Sequence, residues 1–448
     1  MVIMPTGGGK SICYQVPALL FDGGTLVISP LIALMQDQVD ALRKKGVPAA
    51  FINSSISAAD KKKRLQAFID GKVKILYVSP ERFRDEVFAC RIQTANISLL
   101  AVDEAHCVSL WGHDFRPDYS RIAEFRKLIG NPLTIALTAT ATKAVQDDIV
   151  HKLGLEPVNV KVYHEGINRP NLRLEALDVF DDKQTLAEIL NILDTYQGAG
   201  IIYFSLIKNL EIYSEKLRDR GYAHNVYHGK LSSRMRKSTQ RRFLAGEDKI
   251  ILATNAFGMG IDKADIRFVV HTEMPASIES YYQEIGRAGR DGIDSVCVLL
   301  YNSEDLLTQM QFIKWANPDA EYYYRLYALL QGHIQAVNSM GMEYIIEQMS
   351  FKNRSDFRAE TALGMLDRYS VTSGSVEEHN LEIIAPLAPE LENEEFLKEK
   401  LLNDNKKLLS VVKYFQTKNC RRTFISEYFG FHNTKPCGNC DVCAENAC

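Results

Sequence analysis

Short apolar runs alternate with helical stretches along most of the chain, and this alternation limits the folds that it can adopt. Four runs end at a small or polar residue, as buried parallel strands do: 24–29, 73–79, 98–103 and 133–138. After the segment 166–173, which we interpret as a linker, four more follow: 198–205, 249–254, 267–271 and 295–301. Two such series predict two tandem α/β domains with doubly wound parallel sheets.

A phosphate-binding loop opens the first series. The stretch MPTGGGKS (4–11) fits G-x-x-x-x-G-K-[ST] except at its first position, which is Met4. Its glycines let backbone N–H groups face phosphate oxygens, and a helix is predicted directly after it. In this motif the lysine reaches the β- and γ-phosphates and the hydroxyl ligates Mg²⁺. The candidate nucleotide-binding residues are Thr6, Gly7, Gly8, Gly9, Lys10 and Ser11.

Two carboxylates, Asp103 and Glu104, lie at the end of the apolar run 98–103. A Walker-B carboxylate at this point would hold Mg²⁺, so we assign that role to Asp103. The neighbouring Glu104 can accept a proton from an attacking water. A solvated acidic strand end is the alternative.

The segment YYQEIGRAGRDG (281–292) offers Gln283, Arg287 and Arg290 at helical spacing. An arginine from the second domain could stabilise charge on the transferred phosphoryl group, and we assign this to Arg290 with Arg287 beside it. A surface basic helix is the alternative. Three glycines argue against it, because each costs about 1 kcal/mol in a helix interior.

The stretch CVSLWGHDFRPDY (107–119) directly follows the two acids. Trp111, His113 and Phe115 offer faces on which bases can stack, and Arg116 can meet a phosphate or a ring. We therefore predict a loop that binds nucleic acid, with core aromatics as the alternative. The basic segment 230–243 is explained equally well by contact with a phosphate backbone or by a solvated helix face.

The phosphate loop, D-E-A-H and Q-x-x-G-R-A-G-R occur in the order of superfamily 2 helicases. The longer stretches VISPLIALMQDQV, AVDEAHCVSLWGHDFRPDY and ATNAFGMGIDKADIRFVVH resemble the RecQ family of DNA helicases, over about residues 1–305 and again near 404–443. The resemblance implies ATP-dependent 3′–5′ movement on single-stranded DNA, unwinding of forked or partly duplex DNA, and a role in recombination and repair. It also implies that Gly260 and Asp262 face the nucleotide and that the aromatic loop couples DNA binding to hydrolysis.

Four cysteines near the end of the chain form the pattern C-x16-C-x2-C-x2-C: Cys420, Cys437, Cys440 and Cys443. In a reducing compartment such crowding indicates a metal rather than disulfides. Four thiolates suit a closed, structural zinc site, and the RecQ resemblance implies a zinc module here. An iron–sulfur cluster is the alternative, although no proline follows the last ligand.

Three features depart from the RecQ pattern. The adenine-recognising segment that the family carries before the phosphate loop is expected to be missing, so we interpret the chain as N-terminally incomplete. The winged helix that longer family members carry after the zinc module is also expected to be missing. Residues 306–404 exceed the usual helical link, and their helix followed by strands predicts a winged-helix-like insert, with a plain helical insert as the alternative.

These observations predict RecA-like domains at 1–158 and 159–305, an insert and linker at 306–404, and a mostly helical zinc-binding module at 405–448. The net charge of −3 argues mildly against nucleic acid, but local patches matter more than totals. With no apolar run of membrane-spanning length, we expect a bacterial cytoplasmic or nucleoid location. Expected partners are DNA and single-strand-binding or other repair proteins. An RNA helicase and a truncated DNA-binding protein without turnover are the rival functions.

Overall fold

The computed structural model describes residues 1–30, 32–53, 55–109, 117–164, 166–258, 261–349, 356–432 and 435–446. One compact unit contains two parallel sheets together with the chain from Val411 onward, and Leu306–Ser410 make up most of a second unit.

The first sheet has the strand order β3-β4-β2-β5-β6-β1-β7, and every pairing in it is parallel. Its strands are β1 (Val2–Ile3), β2 (Gly24–Ile28), β3 (Ala49–Ile52), β4 (Ile75–Val78), β5 (Ile97–Val102), β6 (Leu133–Thr138) and β7 (Tyr163–His164). The helices along this part of the chain are α1 (Ile12–Leu20), α2 (Ile32–Lys44), α3 (Ala58–Ile69), α4 (Glu86–Ile92), α5 (Ile122–Leu128) and α6 (Lys143–Lys152).

Helices cover both faces of this sheet, because successive strand residues point to opposite sides. Leu26 and Ile28 of β2 pack in the cluster that also contains Leu65 of α3. Val27, between them, packs in a separate cluster with Tyr14 of α1. The strands are therefore apolar on both faces, which explains why each one forms an uninterrupted run of apolar residues in the sequence.

The second sheet has the order β10-β11-β9-β12-β13-β8, again entirely parallel. Its strands are β8 (Leu172–Asp178), β9 (Ala199–Tyr203), β10 (Asn225–Tyr227), β11 (Ile250–Ala253), β12 (Ile266–His271) and β13 (Ser295–Tyr301). The accompanying helices are α7 (Asp182–Thr195), α8 (Ile207–Arg218), α9 (Ser233–Leu244) and α10 (Ile278–Ile285).

The second unit is mostly helical, with one short antiparallel ladder of two strands among its described residues. Its elements are α11 (Asp305–Ala316), α12 (Ala320–Met340), α13 (Met342–Met349), α14 (Arg358–Arg368), β14 (Thr372–Ser373), β15 (Glu382–Ile383), α15 (Pro389–Glu392) and most of α16 (Glu394–Gln416), whose residues from Val411 onward belong to the first unit. The predicted order of helix and then strands is present, whereas the winged-helix interpretation stays a prediction. The helices α17 (Arg421–Tyr428) and α18 (Asp441–Glu445) follow.

The predicted architecture of two doubly wound parallel sheets is confirmed, and all eight predicted strands occur within two residues of their expected bounds. The interpretation of 166–173 as a linker is wrong at its end, because β8 already begins at Leu172. This strand lies at the edge of the sheet and alternates buried with more exposed residues, so it lacks the continuous apolar run of the central strands.

We predict that Gly200→Ala destabilises the second sheet. A Cβ atom on Gly200 of β9 would lie 2.0 Å from two ring atoms of Phe268 on neighbouring β12. Overpacking a dense core costs about 1–3 kcal/mol, so the free energy of unfolding measured in urea should fall by at least this amount. Gly229→Ala is the control, since its Cβ would meet no heavy atom within 4 Å. Equal stability of the two variants would contradict the prediction.

Candidate active site and cysteine cluster

The phosphate loop follows β1 at the C-terminal edge of the first sheet. The N–H of Met4 donates to the carbonyl of Thr138 (3.1 Å), which ties the start of the loop to β6. Gly7 and Gly9 have φ angles of +81° and +80°, in the region that favours glycine. Lys10 Nζ lies 3.4 Å from the Met4 carbonyl, and α1 begins one residue after Ser11. The predicted loop-to-helix geometry is therefore present.

Asp103 and Glu104 immediately follow β5, beside this loop. Asp103 is buried, and its Oδ1 accepts from the N–H of Glu104 (3.0 Å). Burial, reinforced by the neighbouring Glu104 charge, raises the pKa of Asp103 to about 7, while the Lys10 charge opposes this shift. A buried carboxylate of this kind is stabilised in its ionised form by a cation.

Glu104 adopts left-handed backbone angles, φ 46° and ψ 48°, which are uncommon for a residue with a side chain. Such a conformation costs about 1–3 kcal/mol and persists only where the surroundings enforce it. Its Oε2 lies 3.3 Å from Nδ1 of the fully buried His106. The strained backbone thus places the carboxylate next to a histidine that the sequence analysis did not select.

Hydrogen bonds connect this histidine to the second sheet's domain. His106 Nδ1 is 3.0 Å from Thr138 Oγ1, which also accepts from the N–H of Thr140 (3.2 Å). Gln283 Nε2, on α10, lies 3.5 Å from Thr140 Oγ1, at the outer limit for a hydrogen bond. The residues between Glu104 and α10 therefore form one continuous polar path.

The predicted helical spacing of the two arginines is wrong. Helix α10 ends at Ile285, so Gln283 is helical but Arg287 and Arg290 lie on the turn that follows. The glycines of this turn explain the early end, since Gly289 has a positive φ of +55°. We call residues 286–292 the finger turn.

The finger turn packs directly against the phosphate loop. A Cβ atom on Gly7 would lie 3.2 Å from Cγ, Cδ and Nε of Arg290. A Cβ atom on Gly286 would lie 3.1 Å from Cβ of Thr6. These distances are shorter than ordinary Cβ contacts, so a side chain at either glycine would require the facing side chain, that of Arg290 or Thr6, to shift.

The two arginines are held in different surroundings. Arg290 donates through Nη1 to Oδ1 of Asp262 (2.6 Å), whose side chain is 89% exposed. Burial, reinforced by the Arg287 charge, lowers the pKa of Arg290. Arg287 is itself buried, and its Nη2 would lie 3.3 Å from a Cβ on Gly258. Two neighbouring cations, the buried Arg287 and the partly buried Arg290, therefore line this edge of the site.

Five predicted site residues lie outside the described residues, so their positions are not assessed: Trp111, His113, Phe115, Arg116 and Gly260. The sequence analysis also missed Arg169, which donates to carbonyls of both the finger turn and the phosphate loop. Every residue has a backbone carbonyl, so a sequence does not show which carbonyls an arginine binds. The available signal was the position of Arg169, beside Pro170 and Asn171 in the segment between the two predicted domains.

The four cysteines of the C-terminal pattern come together. The Sγ atoms of Cys420, Cys437, Cys440 and Cys443 all lie within 4.8 Å of one another. Tetrahedral zinc with Zn–S bonds of about 2.3 Å needs sulfurs about 3.8 Å apart, and the Cys437–Cys443 separation is 3.9 Å. The N–H of Cys437 donates to Cys420 Sγ (3.2 Å), as expected for a thiolate. The donor set therefore fits a structural zinc ion.

The cysteine cluster is attached to the helix that leads into the finger turn. Tyr428 of α17 donates to Oε1 of Glu279 on α10 (2.8 Å). The hydroxyls of Tyr281 on α10 and Tyr414 lie 3.3 Å apart, and both side chains are fully buried. Asp441 of α18 accepts from the N–H of Ala176 (2.9 Å), which covers the exposed edge of β8.

Family models match three consecutive parts of the chain. A DEAD/DEAH box helicase model matches residues 1–148, a helicase conserved C-terminal domain model matches 181–292, and a RecQ zinc-binding model matches 390–444. The chain belongs to the RecQ family. The three matches include most strands of both sheets and the cysteine cluster, so family membership does not depend on one motif.

Named relatives agree with this assignment. The chain is 38% identical to the ATP-dependent DNA helicase RecQ of Bacillus subtilis, over 99% of this chain and 61% of the relative. It is 35% identical to the protein of the same name from Pasteurella multocida, over 99% and 57%. The chain therefore spans about 60% of the length of the curated relatives that it matches.

Solved helicases share the fold at lower identity. The helicase Lhr of Mycobacterium smegmatis, bound to single-stranded DNA and AMP-PNP, superposes with a TM-score of 0.54 at 18% identity, over 88% of this chain and 57% of that one. Within the described residues, no helix has the length and apolarity required to cross a bilayer.

We predict that the purified chain carries about one zinc ion, held by the four thiolates. Cys440→Ala should abolish the zinc signal in elemental analysis and lower the thermal unfolding midpoint, because structural zinc contributes folding energy. Cys90→Ala is the matched control, since Cys90 is exposed and outside the cluster. Iron in place of zinc, or an unchanged zinc content in Cys440→Ala, would contradict the assignment.

Proposed function

We propose that the chain is the catalytic part of an ATP-dependent 3′–5′ DNA helicase, which couples ATP hydrolysis to movement on single-stranded DNA. The packing of Arg290 against Gly7 of the phosphate loop carries this proposal. An arginine from one RecA-like domain beside the phosphates bound by the other is the arrangement with which such enzymes stabilise the transition state. The printed names of the relatives, ATP-dependent DNA helicases, support the same function.

In this proposal each polar group of the site has a separate role. Lys10 and the N–H groups of Gly7, Gly8 and Gly9 bind the β- and γ-phosphates, with Thr6 beside them. The Ser11 hydroxyl and the Asp103 carboxylate would hold Mg²⁺, which neutralises charge on the phosphate oxygens. Glu104 is the general base.

Arg290 is proposed as the arginine finger, with Arg287 adding positive charge beside it. Arg290 pairs with the exposed Asp262, and a bound γ-phosphate would compete for the same guanidinium. Gln283 connects this side of the site to the threonines of the first domain.

The proposed DNA contacts rest on the sequence and on one described element. The aromatic loop that contains Trp111, His113, Phe115 and Arg116 is proposed to stack on bases. Helix α9 lies in the basic segment, and its Arg234, Arg241 and Arg242 are all exposed. We therefore also propose that this helix contacts a phosphate backbone. We also propose that the chain acts on forked or partly duplex DNA in the bacterial cytoplasm or nucleoid. Its proposed protein partners are single-strand-binding and other repair proteins.

The test is ATP hydrolysis by the purified chain with Mg²⁺, in the presence and absence of single-stranded DNA. We expect DNA to stimulate turnover and Glu104→Gln to reduce kcat by at least about 10²-fold, because the general base is lost. Arg290→Ala should reduce kcat by about 10³-fold while the affinity for DNA is retained. A strand-displacement assay with a 3′ or a 5′ single-stranded tail then tests the direction of movement.

The controls separate this function from its rivals. Stimulation by RNA but not by DNA would identify an RNA helicase instead. Tight DNA binding with equally absent turnover in the wild type and Glu104→Gln would identify a binding protein. Lys44→Ala serves as a control for lost positive charge, since Lys44 ends α2 on the surface and has no place in the proposed chemistry.

A further inference from the structure

The finger turn begins where α10 ends, so its carbonyl groups have no helical partners. One side chain from the segment before β8 binds three of them. Arg169 donates through Nη2 to the carbonyls of Ala288 (2.7 Å) and Gly289 (2.8 Å), and through Nη1 to that of Gly286 (3.3 Å). A planar guanidinium presents its donors in a fixed fork, so these contacts restrain the shape of the turn as well as its position.

A neighbouring amide binds the far side of the same turn. Asn171 Nδ2 donates to the carbonyls of Gly289 (2.8 Å) and Ile293 (3.0 Å). A Cβ on Gly289 would lie 2.4 Å from this Nδ2 atom, so the amide fits only against a glycine. We call Arg169 and Asn171 the linker pair. Arg290 is the residue directly after Gly289, where both members of the pair converge.

Arg169 also reaches the other domain. Its Nη1 lies 3.4 Å from the carbonyl of Thr6 in the phosphate loop, a longer and weaker contact than those to Ala288 and Gly289. Burial lowers the pKa of Arg169, and a buried cation is tolerated only where hydrogen bonds compensate for its lost hydration. Carbonyls from both domains supply that compensation, and the Thr6 contact exists only while the phosphate loop and the finger turn are close together.

We propose that the linker pair positions the arginine finger, and that the bond from Arg169 to Thr6 makes this positioning depend on closure of the two domains. The inference rests on the proposed hydrolysis of ATP but concerns residues that touch no reacting atom. Arg169 acts through Arg290: it fixes the backbone from which the finger projects. A misplacement of about 1 Å at such a group can reduce a rate by about 10²-fold.

The first experiment is a double-mutant cycle on kcat for ATP at saturating single-stranded DNA. Arg169→Ala should lower kcat at least tenfold, with KM for ATP and the affinity for DNA changed less than threefold. In an Arg290→Ala background, Arg169→Ala should lower kcat by less than twofold, because the group that it positions is already absent. Equal losses in the two backgrounds would show that Arg169 does not act through the finger.

Two further variants separate positioning from general loss of structure. Arg169→Lys keeps the charge but concentrates its donors on one nitrogen, so kcat should fall between the wild type and Arg169→Ala. If Arg169→Ala does not fold, Arg169→Lys and Asn171→Ala carry the same cycle. Arg126→Ala is the matched control, because Arg126 also donates to a backbone carbonyl, that of Gly154 (3.2 Å), and should leave kcat unchanged.

Hydrogen–deuterium exchange tests the positioning without any turnover. The N–H groups of Gly289 and Asp291 donate to carbonyls of Ile266 and Ala264, so they report the order of the finger turn. In Arg169→Ala, exchange over residues 286–292 should accelerate at least tenfold while α7 stays unchanged. Unchanged exchange over the finger turn would overturn the proposal. A wild type that hydrolyses no ATP would refute the proposed function, and the exchange result would still decide the role of the linker pair.

Discussion

The close approach of the phosphate loop and the finger turn is the constraint on which the rest of the site depends. Two glycines, Gly7 and Gly286, permit it, since a Cβ on either would meet the opposite segment at 3.1–3.2 Å. Each glycine faces a side chain of the opposite segment: Arg290 lies against Gly7, and Thr6 lies against Gly286. Glycine at these positions serves the contact between two domains, beyond the turn geometry that the phosphate-loop motif alone demands.

Helix α10 transmits this contact to the rest of the unit. On one side its Gln283 ends the polar path from His106 through Thr138 and Thr140. Elsewhere on α10, Glu279 and Tyr281 form hydrogen bonds with Tyr428 and Tyr414, which lie on either side of Cys420 in the sequence. A structural zinc site would thus stabilise the surface against which α10 packs, while the linker pair restrains the turn beyond its end. The finger turn and the helix before it are therefore restrained by three sets of contacts: the polar path, the tyrosines beside the cysteine cluster, and the linker pair.

The sequence predicted the sheets well because both faces of their central strands are buried, which leaves uninterrupted apolar runs. The edge strand β8 was missed and its start interpreted as part of a linker, because buried and more exposed residues alternate along it. The short strands β3, β7 and β10 were not predicted. Motifs identified Lys10, Asp103 and Arg290, to whose side chains we assign parts of the proposed chemistry. They did not identify Arg169 or the left-handed backbone conformation of Glu104. Contacts to backbone carbonyls and backbone strain do not require a recognisable pattern of residue types.

The charges of the site explain why it should bind a nucleotide together with a metal ion. Asp103 and Glu104 are adjacent acids, and burial raises the pKa of Asp103 to about 7. Arg287 is buried and the neighbouring Arg290 is partly buried, and desolvation lowers the pKa of Arg290. Each pair alone is unfavourable, because like charges repel strongly where water is excluded. In the proposed function, a magnesium–nucleotide complex would present a cation to the acids and an anion to the arginines, so a single ligand would relieve both repulsions.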